Sequence, residues 1–330
     1  MKNIAINGMG RIGRAALKVI LDTPKLALVA VNDIVSIENI AYLIKYDSVY
    51  GVYEKEVTFD DKNLIIDGQK IRYNSVRNPE ELPWKENNID VVIESTGFFT
   101  ASEDAKKHIK AGAKSVIISA PTKSVDIPNV VHGVNSADGK TDVFSCASCT
   151  TNNISPVVEV LGRRIGIKKA IMTTIHAYTA SQAIVDAPSK KNFRMGRAGA
   201  NNIVPTSTGA AIATTKVLPE FEGKFDGVAL RVPIPVGSIS DLTFVTERPV
   251  TVEEINAIFE EEAATERYNN VLSTTTEPLV SSDIVKNPYA STVDLSMTRV
   301  VDGDLLKVMT WYDNEWGFTN QMIRQILAEL

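Results

Sequence analysis

The segment Ser145-Cys146-Ala147-Ser148-Cys149-Thr150-Thr151-Asn152-Asn153 holds both cysteines of a 330-residue chain. Strand-like Val143-Phe144 precedes it, and a helical run from Ile154 to Leu161 follows. A cysteine at a helix start meets unpaired N–H dipoles, whose positive field lowers its pKa and favours the nucleophilic thiolate. Thr150 or Thr151 is placed to cap that helix. Three readings of Cys149 stand side by side: a buried structural thiol, half of a C-x-x-C redox pair with Cys146, or a catalytic nucleophile. A nucleophile wants a base, and the chain has only His108, His132 and His176. His108, among Lys106, Lys107 and Lys110, reads as a solvated helix residue, and His132 in Val130-Val131-His132-Gly133 as a structural one. His176 ends a strand 27 residues beyond Cys149. One helix and one returning strand would bring it back to the thiol, which makes a Cys–His pair the chemistry on offer.

A second chemical signature is Gly8-Met9-Gly10-Arg11-Ile12-Gly13, a G-x-G-x-x-G pattern between a strand and a helix. Gly8 permits the tight turn, Gly10 lets a pyrophosphate approach the backbone, and Gly13 lets the helix pack closely on the strand. Asp33 ends the next apolar run, 20 residues after Gly13. A carboxylate there accepts from an adenosine ribose and repels a 2′-phosphate, so the cofactor is read as NAD rather than NADP.

The elements that must position these groups alternate in the first half. Apolar runs at Ile4–Ile6, Leu26–Val31, Val91–Ile93, Val116–Ile118 and Val130–Val131 are separated by helical patterns at Arg11–Leu21, Ser36–Ile44 and Ser102–Ala111. That alternation predicts a parallel sheet covered on both faces, with antiparallel hairpins inserted over Val52–Tyr73. After Gly166 the pattern changes to long strands at Lys168–His176, Gly227–Val232, Ser238–Val245, Ala290–Thr298 and Leu305–Tyr312. Helical patterns lie at Thr208–Val217, Val252–Ala264 and Asn320–Leu330, and Tyr178–Val204 reads as one long functional loop. The fold class is therefore α/β: a Rossmann-type dinucleotide domain (residues 1–148) and an α+β catalytic domain with a mostly antiparallel sheet (149–315). A terminal helix at about 316–330 is expected to return to the first domain. The net charge of −5 argues against nucleic acid as the main partner. No apolar run reaches membrane-spanning length, the N-terminus lacks a signal-peptide layout, and the compartment is read as the cytoplasm. Two cysteines and three histidines leave no structural metal site in prospect.

The chain resembles the phosphorylating glyceraldehyde-3-phosphate dehydrogenases. The likeness is carried by Ala5 to Arg14, Ala147 to Asn152, His176 to Thr179, Pro205 to Ala211, Leu230 to Pro233 and Trp311 to Gly317. It runs from residue 3 to beyond 320, in order and without a large gap. The resemblance implies Cys149 as nucleophile and His176 as its base. It implies that Ser148, Thr150, Thr179, Arg194, Thr208, Gly209 and Arg231 hold the phosphate of glyceraldehyde 3-phosphate and the attacking inorganic phosphate. It implies that Gly8, Gly10, Arg11, Ile12, Gly13, Asp33, Arg77, Ser119 and Asn314 contact NAD. It also implies a homotetramer whose Tyr178–Val204 loop packs near a neighbour's cofactor. Three departures stand out: Cys146 where the family usually has Asn, Asn153 where a second cysteine is common, and Phe318 in place of a common Tyr. The alternatives are an erythrose 4-phosphate dehydrogenase and an inactive dehydrogenase scaffold serving as a thiol switch or binding protein.

Overall fold

A computed structural model describes residues 1–137, 141–190 and 192–329. Lys191, within the expected long loop, and Leu330, at the end of the expected terminal helix, lie outside the described residues. The chain forms two compact units. One comprises Met1–Val130, Ser136–Ala147 and the residues from Met322 onward; the other comprises Val131–Asn135 and Ser148–Gln321.

The first unit is built on β1 (Lys2–Asn7), β2 (Leu26–Asn32), a short pair β3 (Tyr46–Asp47) and β4 (Gly51–Val52), β5 (Val57–Phe59), β6 (Asn63–Ile66), β7 (Gln69–Asn74), β8 (Val91–Glu94), β9 (Ser115–Ile118) and β10 (Val143–Ser145). Its main sheet has the order β10-β9-β8-β1-β2-β7-β6-β5. The strands from β10 to β7 are parallel, while β6 and β5 add antiparallel hairpins at the edge. The expected insert thus extends the parallel sheet. Asp67 and Gly68, both at positive φ, make the tight turn that joins β6 to β7. Ile4, Ala5, Ile6, Val91, Val92 and Ile93 are all fully buried, as strands covered on both faces require. Helices α1 (Arg11–Leu21), α2 (Ile37–Lys45) and α3 (Ser102–Lys110) alternate with these strands. Val130-Val131, expected as a strand, is not one; the neighbouring Asn129 makes only an isolated bridge with Ser145.

The second unit holds α4 (Cys149–Ile165), β11 (Ile167–Ala177), β12 (Val204–Ser207), α5 (Ala210–Val217), β13 (Phe225–Val232), β14 (Ser238–Thr246), α6 (Val252–Ala263), β15 (Leu272–Thr275), β16 (Ser291–Asp294), β17 (Arg299–Val301) and β18 (Leu305–Tyr312). The sheet order is β12-β13-β11-β14-β18-β16-β15, with β17 beside β18. Among the described residues only β11–β13 and β15–β16 pair in parallel, so the sheet is mostly antiparallel. Along β14 the side chains alternate between buried and half-buried, the period-2 pattern of a sheet covered on one face. Helix α4 packs against β14, β16 and β18. The strand expected over Ala290–Thr298 stops at Asp294, where a 3-10 turn begins at Leu295. The terminal helix α7 (Trp316–Glu329) starts four residues earlier than its apolar pattern suggests. Its first turn follows Asp313, whose carboxylate accepts from the N–H groups of Glu315 and Trp316.

Gly13 shows how tightly the first turn is packed. A Cβ there would lie 2.0 Å from the Gly8 carbonyl oxygen. Gly13→Ala is therefore expected to cost about 1–3 kcal/mol of stability through overpacking. The reading is a lower urea midpoint at unchanged m, and an unaltered midpoint would refute it.

Candidate active site

Helix α4 begins at Cys149 itself. Ser148 is its N-cap, with extended backbone and an Oγ that accepts from the Thr151 N–H at 3.0 Å. The cap is thus Ser148, where the residue pattern suggested Thr150 or Thr151. With the cap one residue upstream, Cys149 occupies the first helical position, in the field of the unpaired N–H groups. The first turn carries no acidic side chain to oppose that field. β11 runs back alongside and ends near the same point. His176, its penultimate residue, places Nε2 3.4 Å from Cys149 Sγ. The parallel pairing of β11 with β13 sets His176 directly beside Arg231.

Arg231 Nη1 lies 2.6 Å from His176 Nδ1 and 3.0 Å from the Ala177 carbonyl, and Nδ1 is 2.7 Å from that same carbonyl. A guanidinium only donates, so Nδ1 either accepts from Arg231 or, protonated, donates to Ala177. The second tautomer leaves the Nε2 lone pair facing the thiol, which is the arrangement a base needs. Burial and the Arg231 charge push His176 down to about 3, so the ring is neutral at physiological pH. Burial pushes the Cys149 thiol above its ordinary value, while the Arg231 charge and hydrogen bonds involving Thr150 pull it down. At the thiol, desolvation of the anion thus acts against the helix-start field and the Arg231 charge. Arg231 Nε is buried with no hydrogen-bond partner among the described residues, a donor left over for an anion.

Residues outside the expected set brace this arrangement. Tyr312 OH lies 2.9 Å from both Thr150 Oγ1 and Thr174 Oγ1, and its ring meets His176 edge-on at 5.9 Å. Asn153 Nδ2 lies 3.2–3.3 Å from Ala290 O, Thr310 Oγ1 and Trp311 O, tying the first turn of α4 to β18. Ser238 Oγ accepts from Ala177 N and donates to Asn314 Oδ1, which also accepts from Gly237 N. Tyr312 and Asn314 share the segment Trp311–Gly317, the sequence signal that could have drawn attention to the tyrosine. Of the expected phosphate residues, Thr150 and Arg231 are joined to the thiol or its base by contacts of 4.0 Å or less. Thr208 Oγ1 accepts from Ala210 N just ahead of α5, with Gly209 as the N-cap. Thr179 Oγ1 pairs with Ser181. Arg194 is exposed on a 3-10 turn and lines a separate cleft of about 480 Å³ with Asn192, Thr206 and Ser207.

The first unit carries a cleft of about 570 Å³ lined by Asn7, Gly8, Gly10, Asp33, Arg77 and Thr96, among others. Gly8 adopts φ +95°, and a Cβ on it would lie 2.7 Å from Thr96 N. A Cβ at Gly10 would meet nothing within 4 Å, so the turn is open to an approaching group. Helix α1 starts there with no side-chain cap and no acidic residue in its first turn, leaving its N–H groups for an anion. Asp33 accepts from Met9 N and Val35 N, which holds its carboxylate at the cleft wall. These residues fit a dinucleotide. Arg11, the first residue of α1, pairs its side chain with Asp47 at 2.5 Å and is not among the residues that line the cleft. Ser119, half-buried at the end of β9, donates its N–H to the Glu94 carbonyl. Ile12, half-buried, occupies the first turn of α1. Among the described residues no group of three or more His, Cys, Asp or Glu is placed to hold a metal ion.

Residues 2–102 match the family description "Glyceraldehyde 3-phosphate dehydrogenase, NAD binding domain", and residues 148–314 match its C-terminal domain. The chain is 48% identical to "Glyceraldehyde-3-phosphate dehydrogenase 2" of Streptomyces avermitilis, covering 97% of this chain and 96% of that one. It is 47% identical to the glyceraldehyde-3-phosphate dehydrogenase of Zymomonas mobilis over the same shares. The chain belongs to the glyceraldehyde-3-phosphate dehydrogenase family. Within that family its three departures have a local account. Cys146 is buried, and burial together with Glu329 pushes its thiol well above the ordinary range. No disulfide joins it to Cys149. Asn153 uses its amide to bind β18, and Phe318 is buried, where no hydroxyl has to be satisfied.

The opposed shifts at the Cys–His pair yield a test. Arg231 lowers both groups, so Arg231→Ala is expected to raise both. The pH profile of iodoacetamide alkylation at Cys149 should rise with thiolate formation, and in the variant that limb should move to higher pH. A limb that stays put would show that the guanidinium does not govern the thiol.

Proposed function

We propose that this protein oxidises glyceraldehyde 3-phosphate with NAD and inorganic phosphate, giving 1,3-bisphosphoglycerate through a thioester on Cys149. The observation that carries the reading is Cys149 Sγ at the start of α4, 3.4 Å from His176 Nε2. In this mechanism Cys149 attacks the aldehyde carbon, forming a C–S bond while its thiol proton passes to His176 Nε2. His176 returns that proton to the carbonyl oxygen, giving a hemithioacetal hydroxyl, and later withdraws it as the carbon is oxidised. NAD, when bound, supplies the hydride acceptor. A phosphate oxygen then attacks the thioester carbon, the C–S bond breaks, and Cys149 leaves as thiolate. Arg231, with its unpartnered Nε, would grip a phosphate in two places. Ser148, Thr150, Thr179, Arg194, Thr208 and Gly209 would complete the two phosphate sites by hydroxyl, guanidinium and backbone donors. Gly8, Gly10, Arg11, Ile12 and Gly13 would receive the pyrophosphate at α1, and Asp33 the adenosine ribose. Arg77, Ser119 and Asn314 complete the cofactor set. Gly237 and Ser238 hold the Asn314 oxygen, which orients its amide nitrogen to donate to a nicotinamide carboxamide.

The assembly is read as a homotetramer. Ile184, Val185 and Phe193, on the stretch between β11 and β12, are at least 72% exposed, an apolar set that a neighbouring subunit would cover. The place of work is read as the cytoplasm, and two cysteines outside any disulfide accord with a reducing compartment. Among the described residues no helix is long and apolar enough to cross a membrane.

The deciding assay follows NADH with and without phosphate. Without phosphate or arsenate, production should stop near one NADH per Cys149; sustained turnover would defeat the phosphorylating mechanism. Cys149→Ser should abolish turnover, and His176→Asn should reduce kcat by about 10²–10⁴-fold with NAD affinity kept. Comparing kcat/KM for glyceraldehyde 3-phosphate and erythrose 4-phosphate identifies the preferred aldehyde, with the triose expected to lead.

A further inference from the structure

His108 lies on the polar helix α3 among lysines, yet its side chain is completely buried. The solvated role expected for it is therefore wrong. His108 and Ala105 are the buried residues of α3, and the imidazole stacks on Trp84 with ring centroids 6.3 Å apart. Trp84 Nε1 donates to His108 Nδ1 at 2.9 Å. An indole N–H can only donate, so Nδ1 carries no proton, and the single ring proton sits on Nε2. That Nε2–H donates to Glu94 Oε2 at 3.0 Å. Asn7 Nδ2 donates to the same oxygen, while Thr96 donates to Oε1 through both its N–H and its Oγ1. The fully buried Glu94 carboxylate thus accepts from four donors, two on each oxygen. Asn7 in turn accepts from Asn32 Nδ2, and Asn32 is bonded both ways to the backbone of Val76.

Asn7, Asn32, Val76 and Thr96 all line the cleft assigned to NAD, whereas His108 and Trp84 do not. Thr96 N is also the atom that a Cβ on Gly8 would strike. The position of Thr96 therefore sets the clearance of the glycine turn.

We propose that His108 is a positioning residue for the dinucleotide cleft: it locks the Glu94 carboxylate, which holds Asn7 and Thr96 in the geometry that receives NAD. The proposal rests on NAD occupying this cleft. It adds a residue from outside the G-x-G-x-x-G turn and does not touch the cofactor itself. Removing the imidazole takes one donor from a buried carboxylate and leaves the Trp84 N–H without an acceptor. Glu94 is then free to rotate, and Thr96 loses its fixed acceptor.

The test compares His108→Phe, which fills the space without a donor, with His108→Gln, whose amide can donate to Glu94 and accept from Trp84. NAD affinity is measured by calorimetry, with melting temperature and amide exchange at Thr96 followed alongside. The Phe variant should bind NAD about tenfold more weakly, as expected for one lost charge-assisted bond. Its Thr96 amide should exchange faster, and the kinetic loss should fall more heavily on KM for NAD than on kcat. The Gln variant should recover most of the affinity. A folded Phe variant that binds NAD as tightly as the unaltered protein would overturn the proposal, as would equal losses in both variants. Should the Phe variant not fold, nitrogen NMR of the unaltered protein decides. His108 should carry its proton on Nε2, with a resonance that moves when NAD is added, and an unmoved resonance overturns the proposal. Failure of the unaltered protein to bind NAD would instead refute the cofactor site on which it rests.

Discussion

One hydrogen bond sets the chemistry of the second unit: the Ser148 hydroxyl accepting the Thr151 N–H. It starts α4 at Cys149 rather than a turn later, and so puts the sulfur at the helix end where N–H groups are unpaired. Every other element of the site meets that point. β11 returns to bring His176 within 3.4 Å, and β13 lies in parallel register beside it so that Arg231 faces the imidazole. Tyr312 and Asn153 hold the same first turn to β11 and β18. A helix beginning one residue later would make Cys149 a cap residue with a differently aimed side chain.

The proposed chemistry makes two opposed electrostatic demands on the site. A thiolate is favoured by cations and dipoles, whereas a general base must be neutral at rest. Burial answers the second by holding His176 uncharged and opposes the first by destabilising the anion. Arg231 serves both, since its charge favours the thiolate and disfavours an imidazolium. The same guanidinium competes for Nδ1, so its position also bears on which tautomer faces the sulfur.

The first unit solves a different problem, the placement of backbone. Its turn has little side chain of its own, because Gly8, Gly10 and Gly13 are needed for conformation, access and packing. Order is supplied from beneath by Asn7, Asn32, Glu94 and Thr96, polar side chains at or just after the ends of β1, β2 and β8. Such a network is tolerated in the interior because each member finds partners, and it converts the rigidity of the parallel sheet into rigidity of the turn.

The glycine spacing, Asp33 twenty residues on and the alternation of apolar runs were legible in the sequence because each rests on local rules: φ freedom, strand ends and period. Cys149 was legible as a helix-start residue for the same reason. Folding decided what depends on distant partners. His108 sits between lysines in sequence, but Trp84 and Glu94 come from other elements and make a buried site for it. The cap fell to Ser148, whose extended backbone lets its Oγ reach the Thr151 N–H after the chain turns at Ala147, and burial opposes thiolate formation in a way that no local pattern records. Local chemistry thus determined which residues were able to act, and the tertiary structure decided their protonation and their neighbours, because desolvation and long-range hydrogen bonds exist only once the chain has closed on itself.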